Sequence, residues 1–167
     1  MRGLFLIFVA LFPQATQAQE IIGQINGTLQ GYERIWFVTT SQEGGQSSWG
    51  GDEEYAWVGI SGHTAENTVL ETTGAIWLSF ELIREAGGFN VLAREIAYYR
   101  TPNIMYISQS DKAEIQVTAA EFSDGELQIS GKFAGTLGRT PDSGQTIDMN
   151  DNRLVEGVFD AKLLLLE

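Results

Sequence analysis

The 167-residue sequence predicts an all-β fold, a single antiparallel sandwich of Greek-key or jelly-roll type, with an up-and-down barrel as the alternative. Three observations carry this. Apolar side chains recur with a period of two over most of the chain, the spacing that puts every second residue of a strand on one face. Turn signals rich in Gly, Asp and Asn interrupt that alternation roughly every 8 to 12 residues, as in sandwiches and barrels. The chain also ends in two long alternating stretches joined by a polar, turn-rich segment, the pattern of a closing hairpin.

The first eighteen residues stand apart. A charged head, Met1-Arg2, precedes an apolar run from Leu4 to Phe12, then Pro13 and small residues ending in Thr16-Gln17-Ala18. That is the layout of a secretory signal peptide cut after Ala18, and the apolar run is shorter than the ~20 residues that span a bilayer. No cysteine follows, so a lipoprotein anchor is excluded. The expected organisation is a cleaved segment, 1–18, and one all-β domain, 19–167, exported to a bacterial periplasm or the medium with no membrane span. Arg2 is the only charged side chain removed, so the formal charge moves from -12 to -13. A field of that sign repels nucleic-acid phosphates and anionic lipid, which excludes nucleic acid as a partner. With no disulfides, stability has to come from burial.

In the mature chain, Ile21 to Leu29 alternates as a first strand, and Asn26-Gly27-Thr28, a formal glycosylation acceptor, belongs to it. Arg34 to Thr40 is rich in β-branched and aromatic residues and makes a second. Ser41 to Glu54 reads as a loop of Gly, Ser and acids with Trp49 in its middle. Tyr55 to Gly62 and Gly74 to Ile83 are further strands, the latter with Ile76, Leu78, Phe80 and Leu82 on one face. Phe89 to Arg100 gives mixed signals, with Val91, Leu92, Glu95, Ile96 and Tyr99 at helical spacing, but its neighbours and the Gly87-Gly88 turn favour a strand. Ile104 to Ser108 is a short extended piece, and Ala113 to Phe122 a strand with Ile115, Val117 and Ala119 inward. Asp124-Gly125 is a turn. In the closing pair, Leu127, Ile129, Gly131, Phe133, Gly135 and Leu137 share one face, and Val155, Gly157, Phe159, Ala161, Leu163 and Leu165 another.

Chemistry is sparse. His63 is the sole histidine and there is no cysteine, which removes zinc centres and Cys-His nucleophiles. A Ser-His-Asp set around His63 lacks any Gly-x-Ser-x-Gly elbow, so His63 reads as a residue of a surface turn, and no residue is assigned a catalytic role. Asp148, Asn150 and Asn152 alternate like the start of a calcium loop, but Arg153 and Phe159 occupy the positions of the required glycine and bidentate acid. Trp49 is the candidate contact residue, the alternative being a lid folded back over one end of the core, with Asp52, Glu53 and Glu54 as an acidic rim suited to a cationic or hydroxyl-rich partner. The leading function is a non-catalytic binding module for a protein, glycan or small molecule, acting through 41–54. The alternatives are a small-ligand carrier whose mouth is lined by Tyr55, Trp57, Tyr98 and Tyr99, and a carboxylate-based hydrolase. Intact-mass measurement of secreted protein is expected to give a chain beginning at Gln19; a mass retaining Met1 to Ala18 would overturn the export reading.

Overall fold

The alternation becomes strand pairing over nearly all of the chain that the computed structural model describes, residues 20–39, 47–65, 72–141 and 146–166. The expected signal peptide with its cleavage site, and the 41–46 portion of the expected recognition loop, lie outside the described residues. The strands are β1 (Ile21–Leu29), β2 (Tyr32–Thr39), β3 (Ser48–Gly51), β4 (Tyr55–His63), β5 (Ile76–Glu85), β6 (Gly88–Thr101), β7 (Ile104–Ser123), β8 (Glu126–Thr140) and β9 (Asp148–Leu165). Among the described residues no helix is long and apolar enough to cross a membrane.

The fold is all-β, as the sequence predicts. Antiparallel pairing runs from β1 to β2, on to β4, and then in chain order to β9. Strand β9 pairs again with β1, from Gly23 opposite Ala161 to Leu29 opposite Val155, so the sheet closes on itself. Strands β2 and β4 share only two pairs, Phe37 with His63 and Val38 with Gly62. Strand β3 lies between β4 and β9, antiparallel to the first and parallel to the second. Such a ring is compatible with a flattened, sandwich-like section or a rounder barrel, and its neighbour-to-neighbour order is the up-and-down one. Two-residue turns with both φ positive, Gln30-Gly31 and Asp124-Gly125, make two of the hairpins, as the right-handed twist of the flanking strands favours.

Closure depends on small residues where the three strands β1, β9 and β8 meet. Gly131 lies opposite Phe159 and Phe133 opposite Gly157. A methyl group on Gly131 would collide with the Phe159 ring, and one on Gly157 would press on Phe133 and on the backbone of Asn26 and Gly27. Each phenylalanine thus covers the glycine of the other strand, an arrangement that fixes register while filling the interior. Gly23 and Gly27 allow the same close approach of β1 to the β9 backbone. Inside the ring, Trp36, Ile25, Ile60, Ile76, Leu78, Leu82, Ile96, Leu127, Ile129 and Leu137 are fully buried.

Two of the expected faces shift because of bulges. In β6 the register slips between its pairing of Glu95 with Ser79 and of Leu92 with Glu81, and Ala93 takes φ 45°. The extra residue moves the inward set from Val91 to Ile96, which is why the segment mimics helical spacing. In β7 the two expected pieces are one strand with irregular pairing between Ser108 and Ala113. A further slip between Val117 and Ala119 turns Ala119 outward, correcting its expected inward place, and packs Ala120 and Phe122 against the core. Leu165, expected inward, is exposed at the end of β9. Phe133→Ala and Phe159→Ala are each expected to cost about 3–5 kcal/mol in urea unfolding, and a loss below about 1 kcal/mol at both would contradict their interior placement.

Candidate functional site

The outer surface of β3 to β6 collects the aromatic side chains that the interior does not take. In β4, Ala56, Val58 and Ile60 are buried, so Tyr55 and Trp57 project outward, 45% and 39% exposed. In β5, Trp77, Glu81 and Ile83 alternate with the buried Ile76, Phe80 and Leu82 and remain half-buried on the same outer face. Pairing aligns Trp57 with Gly50 on one side and Glu81 on the other, Glu81 with Leu92, and Ser79 with Glu95.

Glycines decide how the indoles lie. A Cβ on Gly50 would collide with Nε1, Cε2 and Cζ2 of Trp57, consecutive atoms along one edge of the indole, so the ring reaches across that glycine. On Gly59 a Cβ would press against Cζ2 and Cη2 of Trp77 at 3.1 and 3.3 Å. Two indoles therefore lie along the sheet across the glycines of adjacent strands. Partial desolvation of the Tyr55 hydroxyl, together with the nearby Glu81 carboxylate, holds its pKa above the ordinary tyrosine value. Burial likewise raises the Glu95 carboxyl.

The expected site residues are distributed differently. Trp49 is not an exposed contact residue: it sits inward on β3 at 5% exposure, edge-on to Phe122 with ring centroids 5.2 Å apart. Strand alternation explains this, since Ser48 and Gly50 take the outward positions of β3, and the Leu166 N–H holds the Trp49 carbonyl at 2.8 Å. With Phe122 and Phe89, and Arg84 lying 5.1 Å from the Phe89 ring centre, Trp49 plugs one end of the ring. Asp52 accepts hydrogen bonds from the backbone N–H groups of Glu54 and Tyr55, which hold its carboxyl below the usual range and shape the β3–β4 turn. Glu53 and Glu54 lie 3.6 and 4.0 Å from Arg84, both largely exposed.

Comparison with known proteins returns no matching family model, no matching curated protein and no matching solved structure. The geometry alone carries the reading.

Asp148 spends one carboxylate oxygen on the backbone and side-chain amides of Asn150, at 2.9 and 3.0 Å, and Asn152 donates to the Met149 carbonyl. These three residues build the start of β9. Among the described residues no group of three or more His, Cys, Asp or Glu side chains is placed to hold a metal ion. His63 is not in a surface turn, as expected, but 2% exposed in β4, with Nε2 3.1 Å from the hydroxyl of Ser61, itself buried. Of the residues expected to line a mouth, Tyr98 packs by Tyr106 at the ring's other end, while Tyr55 and Trp57 are on the outer wall. That end is closed by a cluster not anticipated from sequence. The Tyr106 hydroxyl donates to Asp151, and Arg153 donates to both at 2.8 and 2.9 Å.

If Trp49 is a plug, Trp49→Ala will cost about 3–5 kcal/mol in chemical unfolding. Trp49→Phe, which keeps an aromatic ring and removes an Nε1 that has no hydrogen-bond partner among the described residues, is expected to cost less than about 1.5 kcal/mol. Equal, negligible effects would return Trp49 to the surface.

Proposed function

We propose that this protein is an exported, non-catalytic binding module that meets its partner through the outer aromatic face of β3 to β6. The observation that carries this is Trp57, a large ring pressed on Gly50 with its other side open to solvent. Leaving that much apolar surface in water has no advantage for a monomer's stability, and it supplies a partner with desolvation energy at little entropic cost, because the ring is already fixed. The carrier reading is disfavoured by the interior, where Trp36, Phe80, Tyr106 and Phe159 occupy the space a ligand would need. The stretch 48–54 still contributes to the proposed site, through Ser48, Gly50 and the Asp52 turn rather than through Trp49.

The hydrolase reading keeps one supporting observation. Glu81 and Glu95 share this face, and burial raises the Glu95 carboxyl, as a general acid would need. A catalytic site requires turnover that disappears in both Glu81→Gln and Glu95→Gln, whereas a binding module shows none.

Co-sedimentation with envelope material of the secreting cell tests the proposal. Wild-type protein is expected to be retained and Trp57→Ala to lose about tenfold or more in affinity, with a melting temperature close to that of wild type. Equal retention of the two proteins would move the recognition surface elsewhere.

A further inference from the structure

The chemistry of this face narrows the ligand, and the narrowing rests on the reading that the face is the recognition surface. We infer that it binds a neutral, hydroxyl-rich glycan chain laid across Trp57 and Trp77.

Shape gives the first reason. An indole that reaches across a neighbouring glycine offers an apolar surface along the sheet, not a knob for a protein pocket. Gly50 gives Trp57 that space and Gly59 gives it to Trp77, and the two tryptophans stand one strand and four residues apart. A pyranose ring presents the complementary surface, with an apolar C–H face that stacks on the indole and hydroxyls at its edge. Polar groups to receive those hydroxyls flank the rings: Glu81, Tyr55, and Ser79 opposite Glu95.

Charge gives the second. Glu81, opposite Trp57, and Glu95, opposite Ser79, put carboxylates on this face, and the whole chain is strongly acidic. Uronate- or sulfate-bearing chains would be repelled. A cationic peptide would be drawn by the overall charge, but the acids that adjoin the face are held by contacts of their own: Glu53 and Glu54 pair with Arg84, and Asp52 holds the turn. Carboxylates as hydrogen-bond acceptors for hydroxyls remain, which suits an uncharged sugar.

The test is native affinity electrophoresis of the full mature chain in gels containing laminarin, hydroxyethylcellulose, glucomannan, dextran or soluble starch, with alginate and polylysine as charged controls. At least one neutral polysaccharide is expected to retard the protein, with retardation unchanged as NaCl rises from about 0.05 to about 0.5 M and lost by about tenfold or more in Trp57→Ala and Trp77→Ala. Quenching or a blue shift of tryptophan emission, in wild-type protein titrated with the matching oligosaccharide, supplies a readout independent of any variant's folding. Retardation by polylysine alone, salt-sensitive and lost in Trp57→Ala, would overturn the glycan assignment and leave the surface standing. Neutral-glycan binding that persists in the Trp57→Ala/Trp77→Ala double variant would overturn the surface itself, and no retardation by any neutral polysaccharide would overturn the ligand class.

Discussion

Strand β9 is hydrogen-bonded along both edges, to β8 from Glu126 through Arg139 and to β1 from Gly23 through Leu29, and the rest of the molecule depends on that double pairing. A sheet with this many strands leaves two exposed edges unless it closes, and closure brings three backbones into sharp curvature. Side chains of ordinary size on the inner face would keep them apart. Glycine at 23, 27, 131 and 157 removes that obstacle, and Phe133 and Phe159 refill the space across the strand pair.

Once the ring is closed, each strand residue is committed to the inside or the outside. Trp36 goes in and donates its indole N–H to the Gly74 carbonyl at 2.8 Å; Trp49 goes in against Phe122. Trp57 and Trp77 fall at the opposite parity of their strands and go out. The ends are sealed in different ways, one by Trp49, Phe122 and Phe89 beneath Arg84, the other by Tyr106, Asp151 and Arg153. With the ring sealed at both ends and filled between them, the outer wall is where the proposed recognition surface is placed, and the proposal follows from topology rather than from a catalytic motif.

Much of this was legible in the sequence. The faces of β5, β8 and nearly all of β9 follow directly from alternation, because these strands keep one parity across their buried stretches. The outward face carrying Trp77, Ser79, Glu81 and Ile83 is equally visible, but alternation cannot say that the Trp77 indole reaches a glycine of the neighbouring strand. Bulges hid the faces of β6 and β7, where a single residue at Ala93 or Thr118 inverts the pattern beyond it. Trp49 stays open between contact and lid in the sequence because a four-residue strand of Ser, Trp and Gly has no alternation to read, and only its pairing with β4 and β9 fixes its side. The Tyr106, Asp151 and Arg153 cluster joins residues more than forty positions apart, a contact set by the register of β7, β8 and β9.

Amide hydrogen exchange along β1 tests closure most directly. In a closed ring, successive N–H groups of β1 point alternately to β2 and to β9, so every amide from Gln24 to Thr28 is bonded and protected. In an open sheet with β1 at its edge, every second one faces water. Uniform slow exchange from Gln24 to Thr28 is the result the closed ring predicts. Alternating slow and fast exchange over the same residues would contradict it.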